Sequence, residues 1–421
     1  MALWIASDFG KPKEICVVQA RVGLRETPKV EDWRPVRILS LMCNAIEEIS
    51  CCSKCSELTT MFFQDNKLKS LSSEFILSMQ KLLVLDLSEQ ISELTSLQYL
   101  DLSNTSIEQL PVGFQELKKL IQLNLTSTHR LRSISEISKV SSLRILKLLK
   151  SNVHGDVSSV KELQILEHLQ VLTITISTEL GLEQILGDQK LANCINGLCI
   201  QSFYKKPLNM SLLVSMKNLR MLWLENSHIS EINTKCREGG TDLSDLDNPT
   251  SPCFTNLLFV HIYGCIGFKD MTWLLFAPNL VYLQIEYSNE VEEIINKEKA
   301  NNLTGITPFQ KLEFLSLTSL PKLESIYWSP LPFPSLWHTS VLECPNLRKL
   351  PFDATSVPRL ARFTIDMGHG QEITELEWED EDTKNRLLPL IHLVISSLNT
   401  LPLWFLFFSS LSFFHVCYRL A

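Results

Sequence analysis

A single spacing pattern recurs along most of the chain and limits what it can fold into. In each copy an apolar residue is followed by two variable residues, an apolar residue, one variable residue and another apolar residue, as in Leu-Gln-Tyr-Leu-Asp-Leu. Two further variable residues and an Asn, Cys, Ser or Thr complete the template. The clearest copies start at Val36, Leu58, Leu97, Leu120, Leu143, Leu169, Leu219, Leu257, Leu280, Leu312, Leu336 and Leu360, with weaker copies at Leu82 and Ile195. Repetition at a period of roughly 20 to 29 residues predicts a stack of similar coils.

The center of each copy, with two apolar residues separated by one variable residue, is typical of a short β-strand. Alternate side chains of a strand point to opposite faces, so the apolar pair faces inward and the variable residues face outward. Stacked coils share one core and pair their strands in parallel. The predicted fold class is α/β, a solenoid with a curved parallel sheet on its concave face and irregular or short helical segments on its convex face. Strands near Leu39–Leu41, Leu100–Leu102, Leu222–Leu224 and Leu315–Leu317 are expected to align in that sheet.

Departures from the regular spacing predict where the coils differ. Leu97 follows Leu82 by only 15 residues, so one coil is expected to be truncated near 82–97. Two longer intervals indicate insertions near 236–252 and 296–308, both rich in polar residues. Polar segments of this kind are typical of surface loops, and we expect both to be mobile.

The composition excludes several classes of protein. Hydrophobic residues make up 45% of the chain and charged residues 20%, which is enough apolar material for a large core and excludes wholesale disorder. The net charge of -8 and the lack of a Lys/Arg block argue against nucleic acid as a partner. Twelve cysteines without regular pairing indicate a reduced, cytoplasmic protein. Cys51, Cys52 and Cys55 form a cluster that zinc could use, but no fourth ligand lies nearby, so no metal is expected.

No common catalytic motif occurs in the sequence, and we expect no enzymatic activity and no cofactor. His228 and His261 lie near repeat strands, but neither has a recognisable Ser, Cys or carboxylate partner in the sequence, so both are interpreted as solvated surface side chains. The acidic run from Glu375 to Asp382 is interpreted as a solvated cap on the last coil. Binding to another protein is therefore the favoured class of function.

The variable positions of four late coils carry an unusual number of aromatic residues. The third, fifth and seventh template positions face outward, and on adjacent strands their aromatic side chains are expected to form one exposed patch. Aromatic patches of this kind mark protein contacts, although aromatic residues also simply suit strands, and third-position residues can be half buried. The candidate partner-binding residues are Trp223, Phe259, His261, Tyr263, Tyr282 and Phe314.

Several segments outside the repeat cores carry a family resemblance. They are MALWIASDFGK, ARVGLRETPKVEDWRPVRILSLMCNAIEEI, LDLSNTSIEQLPVGFQELKKLIQLNL and ELEWEDEDTKNRLLP. Together they resemble plant disease-resistance proteins of the coiled-coil, nucleotide-binding, leucine-rich-repeat class. The resemblance implies that residues 1–35 are the end of a winged-helix domain and a linker, and that residues 36–386 form the leucine-rich-repeat domain. No G-x-x-x-x-G-K-[ST] motif occurs, so the chain is expected to be a truncated form that cannot bind nucleotide.

The last residues, 387–421, do not follow the family pattern and are strongly apolar. Two functional hypotheses follow. The first is a cytoplasmic recognition solenoid of an immune receptor, binding a pathogen effector, a guarded host protein or a receptor's own nucleotide-binding module. The alternative is a membrane-anchored repeat protein that uses residues 403–418 as its anchor.

Overall fold

The computed structural model describes residues 16–28, 30, 33–46, 48–49, 57–62, 66, 70–71, 84–85, 98–104, 108, 110, 114–153, 155–204, 208–230, 253–301, 306–366 and 376–393. Short strands dominate it. They are β1 (Cys16–Val18), β2 (Ile38–Ser40), β3 (Glu48–Ile49), β4 (Thr60–Phe62), β5 (Ser70–Leu71), β6 (Val84–Leu85), β7 (Tyr99–Asp101), β8 (Gln122–Asn124), β9 (Ile145–Leu148), β10 (Val171–Ile176), β11 (Ile195–Gln201), β12 (Leu208–Asn209), β13 (Met221–Glu225), β14 (Ile229–Ser230), β15 (Phe259–Tyr263), β16 (Tyr282–Glu286), β17 (Phe314–Thr318), β18 (His338–Leu342), β19 (Arg362–Asp366) and β20 (Ile391–Leu393).

Helices are short and lie between strands. The α-helices are α1 (Val157–Gln164), α2 (Glu179–Gly187), α3 (Gln189–Cys194), α4 (Lys297–Ala300) and α5 (Glu381–Leu387). Side chains of Asp156, Thr178 and Asp188 accept hydrogen bonds from the first-turn amides of α1, α2 and α3. Single 3₁₀ turns are found at Phe114–Glu116, Ile137–Lys139, Met210–Ser215, Thr272–Phe276 and Leu388–Leu390.

Sixteen strands form one sheet, in the order β1-β2-β4-β6-β7-β8-β9-β10-β11-β13-β15-β16-β17-β18-β19-β20, and the neighbouring strands pair in parallel. Two small two-stranded sheets, β3-β5 and β12-β14, lie beside it. The four strands predicted near Leu39, Leu100, Leu222 and Leu315 are all members of the large sheet. The predicted fold class, a leucine-rich-repeat solenoid, is confirmed.

The core lies on one face of this sheet and is built from the template leucines. Leu39, Leu102, Leu222 and Leu317 are each fully buried, and they belong to one continuous cluster of apolar side chains that extends from Val36 to Leu387. Each coil contributes its inward pair to the next, as stacking requires. The core is therefore shared along the whole repeat array rather than divided into separate units.

A left-handed residue follows the strand at the eighth template position of most coils. These residues have φ between 46° and 64° and are Cys43, Asn104, Ser127, Lys150, Ser202, Asn226, Gly264, Tyr287, Ser319 and Glu343. Most of their amides donate to a carbonyl oxygen of the next coil, as Asn226 N–H does to Tyr263 O at 2.8 Å, whereas the Lys150 amide donates to Thr175 Oγ1 at 2.8 Å. Only one of these residues is glycine. In the other coils a residue with a side chain adopts a backbone conformation that costs on the order of 1 kcal/mol, and contacts with the next coil stabilise it.

The register of the sheet shifts once, at β10. On its β9 side Leu172 pairs with Leu146, so equivalent template positions are aligned. On its β11 side the pairing shifts between Leu172 and Thr173, and Ile174 pairs with Leu198. The later strands stay aligned with β11. The outward positions of the early coils are therefore offset by two residues from those of the late coils.

Both ends of the sheet pass the boundaries expected from the sequence. Strand β1, at Cys16–Val18, pairs with β2 although it lies within the segment 1–35 that was interpreted as a linker. At the other end Leu387 is fully buried, and β20 pairs with β19 beyond the expected boundary at residue 386. The large sheet therefore includes one strand from each flanking segment.

The irregular coils are described in part. Strands β6 and β7 pair directly, with Val84 opposite Tyr99, across the short interval near 82–97. The insertion expected near 296–308 begins with helix α4, and the Asn296 side chain caps this helix. An ion pair between Lys299 Nζ and Asp270 Oδ2, at 2.8 Å, connects the helix to the preceding coil. That part of the insertion is helical, capped and paired with the preceding coil. The insertion near 236–252, the cysteines at 51–55 and the segment 394–421 lie outside the described residues.

Candidate recognition surface

The outer face of the sheet, opposite the leucine core, carries a second cluster of apolar side chains. The alternation of strand residues directs the third and fifth template positions to this face. The cluster is separate from the main core and consists of Leu149, Cys199, Met221, Trp223, Phe259 and Tyr282, with Phe314 packed against it. Four of the six residues expected from the sequence to form a patch belong to this cluster, namely Trp223, Phe259, Tyr282 and Phe314. The other two, His261 and Tyr263, lie on the same strand as Phe259, so all six lie on four adjacent strands.

Stacked rings run across four consecutive strands of this face, and we call Phe259, Tyr282, Phe314 and His338 the aromatic ladder. The ring centroids are 4.5, 4.3 and 4.4 Å apart in that order, with interplanar angles of 13°, 3° and 3°. These four residues are aligned in register on β15 to β18. Because strands in a sheet lie about 4.8 Å apart, aligned rings can stack face to face without distortion.

The second apolar cluster is less exposed than the open patch that the sequence predicted. Trp223 has an exposed fraction of 0%, and Phe259 and Tyr282 are buried more fully than the half-buried alternative for third-position residues allows. Stacking explains this, since each ring covers the faces of its neighbours, and Trp223 packs against Phe259 with centroids 4.9 Å apart. The prediction of one open aromatic patch is wrong for these three residues, which instead form a small outer core.

Polar side chains continue from the ladder toward the end of the strands. The Tyr282 hydroxyl donates to Gln284 Oε1, and Gln284 Nε2 donates to Glu286 Oε1 at 2.8 Å. His261 Nε2 lies 3.4 Å from Glu286 Oε2 and is half-buried. The interpretation of His261 as a solvated histidine without a carboxylate partner is therefore wrong. Both residues occupy outward positions of adjacent coils, and this adjacency was the available signal.

The carboxyl group of Glu286 is held in its charged form. Burial alone would raise its pKa, but the hydrogen bonds from His261 and Gln284 outweigh burial and lower the pKa below its ordinary value. An anion is therefore fixed on the outer face beside the ladder. No reacting group is implied by this arrangement, which orients polar atoms rather than exposing a nucleophile.

His338 completes the ladder and was missed in the sequence. Its ring stacks on Phe314, and burial together with the nearby charge of Arg362 lowers its pKa from about 6.5 to about 4. The imidazole is consequently neutral at physiological pH and behaves as one more flat apolar ring. Its position as the third residue of the copy starting at Leu336 could have identified it.

The strand ends beyond the ladder are more open. Tyr263 has an exposed fraction of 37% and Tyr287 one of 48%, and their ring centroids lie 5.3 Å apart at an interplanar angle of 66°. Glu286 precedes Tyr287 in the chain, and Glu343 lies close enough to act on the Tyr287 hydroxyl electrostatically. We call Tyr263, Tyr287, Glu286 and Glu343 the tyrosine edge. Sequence reasoning found only Tyr263, because Tyr287 lies just past the alternating strand positions.

Other kinds of site find less support. In the part of the chain that the structure describes, no group of three or more His, Cys, Asp or Glu side chains is arranged to hold a metal ion. Within the same residues no helix combines the length and apolarity that a bilayer crossing needs. The segment 403–418, which the sequence suggested as an anchor, lies outside them.

Comparison with known proteins identifies the repeats. Residues 24–405 match the family model described as a leucine-rich repeat region. A probable disease resistance protein of Arabidopsis thaliana is 63% identical over 402 residues, covering 93% of this chain and 41% of that protein. Disease resistance protein UNI of the same plant is 61% identical over 402 residues, covering 93% of this chain and 44% of that protein. A solved leucine-rich-repeat protein of Leptospira interrogans matches with a TM-score of 0.45 and 17% identity over 90% of this chain and 95% of that one.

The chain thus spans less than half of the length of the two plant relatives. The matched region contains the repeats, the parallel sheet and the shared leucine core described above. The resemblance seen in the sequence is confirmed over this region. The chain belongs to the leucine-rich-repeat family, and its repeats are related to those of plant disease resistance proteins.

Proposed function

We propose that this solenoid is the protein-recognition region of a plant immune receptor acting in the cytoplasm, and that it senses a pathogen effector or a guarded host protein. The observation that carries the proposal is the outer face of β13 to β18, where stacked rings support an exposed edge of aromatic and charged side chains. A receptor's own nucleotide-binding module is a further partner of the same class.

The six residues that the sequence singled out have different parts in this proposal. Trp223, Phe259 and Tyr282 are buried, so they act as the rigid base of the surface. Tyr263 is exposed, and His261 and Phe314 are half-buried, so these three supply contact area. A base of stacked rings holds the contact residues in fixed positions and lowers the ordering cost of association.

The elements that surround the surface also favour recognition of a protein. The outer face is supported by a continuous sheet whose turn residues are hydrogen-bonded to the next strand, as Tyr287 N–H is to Thr318 O at 3.0 Å. Tyrosine rings on such a frame combine a large contact area with few rotatable bonds. Side chains of this type dominate the binding energy of many protein interfaces.

Photo-crosslinking in plant tissue tests the proposal. The full chain is expressed with p-benzoylphenylalanine in place of Tyr263, and a matched version carries it in place of Tyr99, which is exposed by 40% on the outer face of an early coil. We expect a protein partner to crosslink through position 263 and not through position 99. Tyr263→Ala should weaken capture of that partner about tenfold or more. If crosslinking favours position 99 and Tyr263→Ala leaves capture unchanged, the partner contacts the early coils, and the proposed surface on the late coils is wrong.

A further inference from the structure

The tyrosine edge combines exposed aromatic faces with carboxylates at the ends of adjacent strands. Tyr263 ends β15, and Tyr287 immediately follows β16, and the two rings meet edge to face. Glu286 ends β16, immediately before Tyr287, and lies next to His261 and Gln284. Exposed aromatic rings beside fixed negative charge are the two components that hold organic cations in proteins.

Tyr287 occupies a strained position for an aromatic residue. Its φ is 52°, in the left-handed region, where neighbouring coils have Asn226, Gly264, Ser319 and Glu343. A bulky side chain is an outlier in this region and carries a conformational cost there. The ring does not recover that cost by burial, because nearly half of it is exposed. The turn therefore presents this ring to solvent beside Tyr263.

The electrostatic environment of the edge selects the sign of its ligand. The last strand position and the turn position of β15 to β18 contain two glutamates, Glu286 and Glu343, and no Lys or Arg. Burial, and after it the nearby charges of Glu286 and Glu343, raise the pKa of Tyr287 above its ordinary value. One coil earlier, Glu225 is already paired with Lys150 at 3.0 Å.

In the contacts that the structure describes, hydrogen bonds orient both glutamates, and neither is paired with a lysine or an arginine. Glu343 is exposed and accepts a hydrogen bond from the Ser319 hydroxyl. Glu286 is fixed by His261 and Gln284. A carboxylate that is already oriented loses little further freedom when a cation binds, and an anion such as phosphate would be repelled.

We propose that the tyrosine edge binds an arginine side chain in an exposed segment of a partner protein. A planar guanidinium can stack on one tyrosine ring while its N–H groups donate to a carboxylate, whereas a lysine ammonium offers no flat face. The inference rests on the proposed function, protein recognition by the outer face, and adds the chemistry that the partner must present.

A titration of the full chain with short peptides tests it. The chain has seven tyrosines, so ring-labelled [¹³C]tyrosine gives few signals, and Tyr→Phe variants assign them. The probe is acetyl-Gly-Ser-Arg-Ser-Gly-amide, with lysine and citrulline peptides for comparison. We expect the arginine peptide to shift the Tyr263 and Tyr287 signals saturably and to leave those of Tyr99 and Tyr204 unchanged. The lysine peptide should bind more weakly, and the neutral citrulline peptide should cause no shift.

Matched variants separate this site from general attraction to an acidic protein. Tyr287→Ala, followed through the Tyr263 signal, should weaken the arginine peptide by roughly three- to thirtyfold. Glu343→Gln should weaken it by a similar factor, and Glu167→Gln, which removes the same charge from an exposed position in another coil, should have no effect.

Several results would overturn the inference. They are equal shifts with the citrulline peptide, equal weakening by Glu167→Gln and Glu343→Gln, common movement of all exposed tyrosine signals, and no shift at millimolar peptide. Any of these can occur while the crosslinking at position 263 succeeds, in which case protein recognition stands and the arginine chemistry is wrong. Failure of the crosslinking with a positive titration would count against the recognition proposal instead.

Discussion

The strands between Tyr99 and Leu148 and those between Ile195 and Asp366 have the same inward face and different outward faces. In the early coils the strands are three or four residues long, and Asn124 Nδ2 donates to Asp101 Oδ2 at 3.0 Å between neighbours. In the late coils the strands of the large sheet are five to seven residues long, and stacked rings join β15 to β18. Stacking demands only the inward leucines, so the outward residues are free to differ between regions.

Substitution of an inward leucine should show how far the two regions share one core. Leu102→Asp and Leu222→Asp each place an unpaired charge among fully buried side chains, and each should lower the free energy of unfolding by several kcal/mol, about 3 to 5. Urea titrations followed by circular dichroism, with hydrogen exchange of both regions, measure the effect. A large loss for Leu222→Asp alone would break the comparison, because the early coils would then not depend on the common core.

Removal of an outward aromatic residue should separate the two regions. Trp223→Ala empties a fully buried position and should cost about 3 to 5 kcal/mol, whereas Tyr99→Ala removes an exposed ring and should cost less than about 1 kcal/mol. The same urea titrations measure both variants. Equal and small effects would show that the outer cluster contributes nothing to stability and that the late coils are held as the early ones are.

Acid should weaken the late coils through His338. The unfolded chain takes up a proton on this residue near pH 6.5, and the folded chain only near pH 4, so the free energy of unfolding should fall as the pH drops through that window. The expected loss at the low end is about 3 kcal/mol, because each unit of pKa difference corresponds to about 1.4 kcal/mol. His338→Phe keeps a ring in the stack and should remove this part of the pH dependence, while His129→Gln in an exposed turn of an early coil should not. A pH profile that His338→Phe leaves unchanged would contradict the burial of that imidazole.

The sequence predicted the inward face well because the apolar residues of the template alternate with variable ones. Leu100, Leu222 and Leu315 follow the alternation, and the structure buries them in one core. The alternation also predicted which aromatic residues would gather on one face. The alternation does not predict how deeply these aromatic residues are buried, because Trp223 is buried by side chains of other coils.

Features that depend on how coils align were not predictable. The contact between His261 and Glu286 requires both strands to be in register, and the exposure of Tyr287 requires its left-handed turn. In the segment Val171–Ile176 apolar residues alternate over the whole strand, so either pairing satisfies the core. The sequence therefore allows the register shift without determining it.

That shift at β10 has a consequence for chimeras between relatives. Asp101, Asn124 and Trp223 occupy the same template position in their coils. In the sheet, however, the register partners of Asn124 are Lys147, then Thr173 and, several strands later, Phe259 rather than Trp223. Replacing β10 by a regular coil would keep every side chain on its face while sliding one half of the surface by about 6.6 Å along the strands. Exchange of this one coil would thus rearrange the proposed recognition surface without altering a single outward residue of the other coils.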